Sequence, residues 1–166
     1  DTKCMNIAIS RNLGGRWLAW LSDSSKSASA RLDHSTRAFR TLDGKIIANN
    51  WNDLVDGSLD NPINVNELGN VYGVGTEVWT GTLADGSSTS WSNCNNWTSN
   101  LSTVGGFRGF ANSTDDHWTF GNSPCSNPSG HLYCFEQPAG SSGLPGPRGP
   151  IRASVDIPGG GRELTA

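Results

Sequence analysis

Residues 77–137 open with Glu77-Val78-Trp79-Thr80-Gly81-Thr82 and end with Leu132-Tyr133-Cys134-Phe135-Glu136-Gln137. This stretch holds three of the four cysteines and four of the seven tryptophans. Gly, Ser, Asn and Thr separate its short apolar runs, a pattern typical of short strands joined by long polar loops. The stretch therefore predicts a loop-rich fold whose core is largely aromatic.

The sequence on either side predicts further short helices and strands. Residues 3–16 have the apolar spacing of a short helix that stops at Gly14-Gly15, and residues 17–21 form an apolar run of strand length. This mixture places the chain in the α+β class. The remaining predicted elements are a helix within residues 25–32, a hairpin over 39–48, a helix over 51–55, a central strand over 78–82, and short strands over 97–98, 106–110, 117–120 and 132–136.

Composition divides the chain into a folded part, residues 1–137, and a tail, residues 138–166. A chain of 166 residues suits one domain, and its tryptophans compensate for a low apolar content of 34%. The tail is rich in Gly and Pro but has too few Gly-X-Y triplets for a collagen helix, so we expect a linker or disordered tail. No apolar run has the length of a membrane span. Because the chain starts at Asp1 without a visible signal peptide, we expect a processed or truncated product.

Four cysteines among loops rich in Gly, Ser and Asn indicate an oxidising compartment. A metal site is the alternative, but no Cys-x-x-Cys pair is present, and His131 with Cys134 is only one weak zinc-like pair. The pattern therefore favours structural disulfides. It also predicts an exported protein, located outside the cell, at the cell surface or in the periplasm.

Charge is distributed unevenly along the chain. Residues 1–45 carry +4 (eight basic and four acidic residues), residues 46–137 carry −8 (one basic and nine acidic), and the whole chain carries −3. A basic front can attract a polyanion, although it also fits an ordinary solvated helix face. The candidate residues for polyanion binding are Arg11, Arg16, Arg31, Arg37 and Arg40.

An ordered set of motifs runs through residues 1–137: Cys4, Trp17-Leu18-Ala19-Trp20-Leu21-Ser22, Asp43-Gly44 with Trp51, Val78-Trp79-Thr80-Gly81 followed by Asp85-Gly86, Cys94, Cys125 and Leu132-Tyr133-Cys134. In this order and cysteine spacing, the motifs resemble the endostatin-like domain, which has a C-type-lectin-like fold. The bacterial exported branch of that family is more similar than the animal branch, particularly at Cys94-Asn95-Asn96-Trp97-Thr98 and over residues 132–137.

The resemblance implies nested disulfides, Cys4 with Cys134 and Cys94 with Cys125. Chain entropy gives each bridge about 3–5 kcal/mol of stabilisation. The animal family's zinc ligands lie in a His-rich N-terminal segment that has no counterpart here, so we expect no metal and no cofactor. The family also has a strand before its first cysteine, where this chain has only Asp1-Thr2-Lys3. We therefore expect a truncated chain or a sheet without that edge.

Two short motifs have both a functional and a structural interpretation. Trp51-Asn52-Asp53 spells the calcium-ligand tripeptide of sugar-binding C-type lectins, but its place in the first third of the chain favours a short helix with Trp51 in the core. Asp115, Asp116 and His117 have the chemistry to hold a metal or to act as acid and base. Because adjacent residues of an extended chain point apart, we expect a loop there instead.

These observations predict a non-enzymatic extracellular module for adhesion or binding, including binding to extracellular matrix. The expected partner is a protein or glycan, contacted through the loops between Ser87 and Pro124, and we expect no nucleic-acid partner. One alternative is a structural accessory domain of a larger secreted protein, without a ligand of its own. The other is a hydrolase that uses Asp115, Asp116 and His117, although the chain has no Gly-x-Ser-x-Gly motif.

Overall fold

A computed structural model describes residues 1–128, 130–138 and 150–156. In these residues the chain forms short helices and short strands joined by long loops, an α+β arrangement. The helices are α1 (Thr2–Ser10), α2 (Ala28–Arg31) and α3 (Trp51–Leu54), with a 3-10 turn at Asp116–Trp118 and a separate helical turn at Cys94–Trp97. The strands are β1 (Arg16–Ala19), β2 (Phe39–Thr41), β3 (Ile46–Ala48), β4 (Glu77–Trp79), β5 (Gly105–Phe110), β6 (Asn122–Pro124), β7 (Tyr133–Gln137) and β8 (Ile151–Val155).

Three predicted helices form, but α1 ends at Ser10, four residues before the predicted stop at Gly14-Gly15. Helices α2 and α3 start after Ser27 and Asn50, whose side chains accept hydrogen bonds from main-chain N–H groups of the first turn. The chain leaves α1 through Asn12 and Gly14-Gly15, all of which have positive φ. None of the described helices has the length and apolar character needed to cross a membrane.

The strands form two sheets. The larger one has the order β1-β7-β8-β2-β3, in which β2 and β8 are parallel and the other pairs are antiparallel. The smaller one is antiparallel, with the order β4-β5-β6. Trp79 in β4 donates its main-chain N–H to the carbonyl oxygen of His131 at 3.0 Å, which joins the two sheets near the start of β7.

Trp20 lies at the centre of the main core. It is fully buried, and its ring centroid lies 5.0–6.0 Å from those of Trp51, Trp118 and Phe135. The indole N–H donates to the Thr119 hydroxyl at 2.7 Å, so this large ring is buried without an unpaired polar group. A few large aromatic rings therefore supply the burial that a chain with 34% apolar residues needs.

Two disulfides hold the loops in place. Cys4 in α1 is bonded to Cys134 in β7, and Cys94 is bonded to Cys125, which directly follows β6. This is the nested pairing that the family resemblance implies. The outer bridge ties the N-terminal helix to the larger sheet, and the inner one ties the Cys94–Trp97 turn to the smaller sheet.

The domain boundary predicted at residue 137 is wrong, because residues 151–155 form strand β8 of the larger sheet rather than part of a tail. They lie between β7 and β2, with Ile151, Ala153 and Val155 buried in the core. A segment with too few apolar residues for a core of its own can complete the core of a larger sheet. The predicted linker between β7 and β8 and the predicted tail end fall on residues 139–149 and 157–166, which lie outside the described residues.

Three strand predictions are also wrong. Residues 97–98 lie in and just after the turn at Cys94–Trp97, and residues 117–118 lie in the 3-10 turn. The strand expected at the centre, β4, is an outer strand of the smaller sheet. At the first two positions Trp118 and Trp97 pack inward from turns rather than from strands.

Candidate functional site

Two uncharged segments of the chain meet on one side of the smaller sheet. No Asp, Glu, Lys or Arg lies between Asp85 and Arg108, or between His117 and Glu136. The structure joins the two segments because β5 pairs with β6 and because the N–H of Phe107 donates to the carbonyl oxygen of Ser92 at 2.7 Å. The resulting surface is rich in Ser, Thr and Asn. Its central residues, named below as the Trp91 face, are Trp91, Gly105, Phe107, Phe120 and Asn122.

Trp91 is an exposed aromatic side chain that contacts a buried aromatic ring. The residue is 61% exposed, and its ring meets that of Phe107 edge to face, with centroids 5.2 Å apart. Phe107 is buried and makes a second edge-to-face contact, at 4.8 Å, with Phe120. Among the described residues, the indole N–H of Trp91 has no hydrogen-bond acceptor. The ring is therefore supported by Phe107, while its remaining surface and its N–H stay available to a ligand.

A shallow groove lies on β5 and β6, the strands that also carry Phe107 and its partner Asn122. Phe107 pairs with Asn122 and Gly105 with Pro124, and residues directly opposite each other on antiparallel strands share a sheet face. Because Gly105 has no side chain, the face is open at this position. The cavity measures about 240 Å³, and its lining carries no charge. The lining residues are Ser102, Thr103, Val104, Gly105, Asn122, Ser123 and Pro124.

The turn at Cys94–Trp97 is left-handed, with φ of 51°, 54°, 54° and 65° at four successive non-glycine residues. This conformation costs roughly 1–2 kcal/mol per residue, and less for Asn. The Cys94–Cys125 bridge holds one end, and at the other the Trp97 indole donates to the Ser22 carbonyl oxygen at 3.0 Å. The turn leaves Asn95 and Asn96 exposed within the uncharged segment. Strained backbone of this kind occurs most often at functional sites.

The expectation that Asp115, Asp116 and His117 point apart is wrong. Their ligand atoms lie within 4.8 Å of one another, because the 3-10 turn folds the chain where an extended segment was assumed. His117 Nδ1 lies 3.0 Å from Asp116 Oδ1, and the three side chains are 53–70% exposed. Asp115 also caps the turn by accepting the N–H of His117. The cluster is therefore an exposed turn, with its carboxylates in contact with water.

The Trp51-Asn52-Asp53 tripeptide forms helix α3, as the structural interpretation predicted. Trp51 is buried in the core and Asn52 is exposed. The Asp53 carboxylate accepts hydrogen bonds from the main-chain and side-chain N–H groups of Asn49, at 2.6 and 2.9 Å. Through these hydrogen bonds Asp53 stabilises the turn that precedes α3.

The arginines proposed for polyanion binding differ in their surroundings. Arg11, Arg16 and Arg37 are exposed. The Arg31 side chain is only 8% exposed, and its guanidinium is paired with the Asp1 carboxylate and the Leu21 carbonyl oxygen. Arg40 donates to the Gly44 carbonyl oxygen at 2.8 Å. Arg31 therefore has a structural role, and a patch of all five arginines does not form.

One serine and one histidine come close enough to suggest a nucleophile and its base. His34 Nε2 lies 3.4 Å from the Ser29 hydroxyl but only 2.9 Å from the Ser29 carbonyl oxygen. A carbonyl oxygen can only accept, so Nε2 carries its hydrogen and cannot take the hydroxyl proton. The ring also stacks on Trp51 at 4.1 Å. The His34 ring therefore packs against the Trp51 ring and has a structural role.

A buried carboxylate, Asp156, lies directly after β8. Its side chain is fully buried, pairs with the Lys3 ammonium and accepts the main-chain N–H of Leu132. Burial raises the pKa of Asp156, and the Lys3 charge opposes this only in part. The contacts join α1, β7 and the end of β8, so this group holds the fold together away from the Trp91 face.

No protein-family model matches the chain, and a search of curated proteins finds no match. The sequence analysis proposed the loops between Ser87 and Pro124 as a contact surface and named no individual residues; the residues of the Trp91 face lie within this range. The missing charges between Asp85 and Arg108 are the signal that marks this region in the sequence.

Proposed function

We propose that this chain is an exported, non-enzymatic binding module with a C-type-lectin-like fold, and that it contacts an extracellular protein or glycan through the Trp91 face. The observation that carries the proposal is the exposed Trp91 ring, in edge-to-face contact with Phe107, in a segment without Asp, Glu, Lys or Arg. A rigid aromatic ring loses little entropy on binding and brings a large contact area, which is why Trp is enriched at binding hot spots.

The fold assignment is supported by the resemblance to the endostatin-like domain, by the nested disulfides and by the short helices around long loops. Disulfides of this kind are typical of proteins that fold in an oxidising compartment, which supports export. The fold does not determine the function, so the proposal for binding rests on the Trp91 face.

A binding role fits the described titratable groups better than hydrolysis does. The Nε2 hydrogen of His34 is donated to the Ser29 carbonyl oxygen, and the Asp115–His117 cluster is exposed rather than enclosed in a pocket that excludes water. A broad substrate screen of the wild type and of Asp116→Ala tests the hydrolase alternative. Turnover that disappears in Asp116→Ala would overturn the non-enzymatic proposal.

The direct test is a binding screen with the immobilised full chain against a panel of extracellular-matrix proteins and a glycan panel. For each ligand that binds, we expect Trp91→Ala to weaken binding by about tenfold or more. Ile9→Ala is the matched control, because Ile9 is also a large apolar residue, 67% exposed, but lies on α1. Equal binding by both variants would exclude the Trp91 face. Absence of any ligand would favour the accessory-domain alternative.

A further inference from the structure

We infer that the ligand of the Trp91 face is a neutral oligosaccharide, bound without calcium by stacking on Trp91 and by hydrogen bonds from the adjacent groove. The inference rests on the proposed function and adds the chemical class of the ligand to it. Three observations carry it: the exposed Trp91 ring, the hydroxyl and amide groups of the groove, and the absence of charged residues from the two segments.

The Trp91 ring suits the apolar face of a sugar. The C–H groups of a pyranose ring carry partial positive charge, and the face of an aromatic ring is negative. The Trp91 ring contacts Phe107 edge to face while the residue stays 61% exposed, so ring surface is accessible for a sugar to stack on. The indole N–H, which has no acceptor among the described residues, is in position to donate to a sugar hydroxyl.

The groove supplies the hydrogen-bonding groups. Ser102 and Thr103 are exposed hydroxyl residues, and Asn122 is an exposed amide on the sheet face that also carries Phe107. Hydroxyl and amide groups both donate and accept, which matches the hydroxyl groups of a sugar. Gly105 and Phe107 are two residues apart on β5, a distance of about 7 Å. A ligand that contacts both the groove at Gly105 and the Trp91 ring packed against Phe107 spans at least this distance, which favours an oligosaccharide over a single sugar.

The absence of charged residues from the two segments favours a neutral ligand over a polyanion. A sulfated or uronic-acid glycan needs Lys or Arg to pair with its anionic groups, and none lies between Asp85 and Arg108 or between His117 and Glu136. Burying such an anion here without a partner would be costly. A neutral glycan carries no such penalty.

The outer strand of the smaller sheet argues against an extended peptide. A peptide that adds to a sheet needs a row of main-chain donors and acceptors. Strand β6 has only three residues, and Pro124 has no N–H to donate. The face therefore offers side-chain groups rather than a main-chain edge.

The test uses nuclear magnetic resonance of the ¹⁵N-labelled full chain, followed through its Trp indole N–H signals. The probes are cellotetraose, maltotetraose, mannotetraose and chitotetraose as neutral glycans, a heparin tetrasaccharide as the anionic glycan, and decaproline as a peptide. We expect at least one neutral tetrasaccharide to shift the Trp91 signal, with and without a calcium chelator. The heparin tetrasaccharide and decaproline should leave that signal unchanged.

Three substitutions separate stacking from general apolar contact. Trp91→Leu keeps an apolar side chain but removes the flat ring, so the dissociation constant should rise about tenfold or more. Trp91→Tyr keeps a ring and should stay within about threefold of the wild type, and it also assigns the Trp91 signal. Asn122→Ala should weaken binding about tenfold, whereas Ile9→Ala should have no effect. Equal loss in the Leu and Tyr variants would contradict stacking.

Failure of this inference can be distinguished from failure of the proposed function. If a matrix protein binds through Trp91 but no neutral tetrasaccharide does, the function stands and the glycan inference is wrong. If the Trp91 signal shifts only with decaproline, or only with the heparin tetrasaccharide, the ligand class is a peptide or a polyanion rather than a neutral glycan. Calcium-dependent binding would contradict the stated mechanism. If no ligand depends on Trp91, both proposals fail.

Discussion

The main chain of Gly109 in β5 lies directly against the main chain of Trp118. A β-carbon on Gly109 would sit 1.7 Å from the Trp118 carbonyl oxygen and 2.3 Å from its carbonyl carbon. Only glycine allows this approach. The contact brings the 3-10 turn onto β5, so that Trp118 enters the core and Phe120 reaches Phe107. The Trp91 face therefore lies next to a close backbone contact on the same strand, two residues from Phe107.

We expect Gly109→Ala to lower the free energy of unfolding by about 3–5 kcal/mol, because two backbone segments must separate to make room for the methyl group. Gly105→Ala is the matched control on the same strand, since its β-carbon would meet nothing closer than 4.0 Å. That variant should change the free energy by less than about 1 kcal/mol. Urea unfolding of both variants measures the difference. Equal losses would show that the close approach is not the cause.

Strand β8 gives a second stability prediction. Ile151 is buried beside Phe39 in the middle of the larger sheet, and its N–H donates to the Ala38 carbonyl oxygen at 2.8 Å. Ile151→Ala should therefore cost about 2–5 kcal/mol, as for other buried isoleucines. In contrast, Ile9→Ala should stay within about 0.5 kcal/mol, because Ile9 is 67% exposed. If both changes are equally small in chemical denaturation, residues 151–155 do not belong to the core.

The parts of the fold that the sequence predicted are those with a local signal. Asn50 before Trp51, and Asp43-Gly44 between two apolar runs, mark α3 and the β2–β3 hairpin through contacts within a few residues. Strand β8 has no such signal. Its burial depends on pairing with β7 and β2, one of which is more than a hundred residues away in sequence.

The candidate site was predictable as a region but not residue by residue. Trp91 and Trp97 lie in similar polar surroundings in the sequence, yet Trp91 is exposed, while Trp97 packs in the cluster around the disulfides. The difference arises from the left-handed turn, which directs Trp97 toward Gly81 and Ser22. The sequence of the turn, Cys94-Asn95-Asn96-Trp97, contains no glycine that would indicate positive φ.

Stability should also depend on pH through Asp156. Burial raises the pKa of this carboxyl above its ordinary value of 3.8, so the folded state binds the proton more tightly than the unfolded state does. The stabilisation from Asp156 is therefore fully present below about pH 3.8 and is lost as the pH rises through the folded pKa. Asn does not titrate, so Asp156→Asn removes this dependence.

The measurement is the free energy of unfolding of the wild type and of Asp156→Asn from pH 3 to pH 7. The free energy of unfolding of the wild type minus that of the variant should fall as the pH rises above 3.8. Lys3→Met tests the cause, because loss of the ammonium should raise the pKa further and extend the fall to higher pH. A difference that increases with pH would mean that the Lys3 charge outweighs burial.

The handedness of the Cys94–Trp97 turn can be tested by comparing alanine with glycine at Asn95. This residue is exposed, and its side chain makes one hydrogen bond, to the Thr98 hydroxyl at 3.3 Å, which both substitutions remove. At φ of 54°, glycine is favoured, so Asn95→Gly should be more stable than Asn95→Ala by about 1 kcal/mol. A right-handed helix gives the opposite order, with alanine better by about 1 kcal/mol. The sign of the difference in urea unfolding therefore decides between a left-handed and a right-handed backbone at this turn.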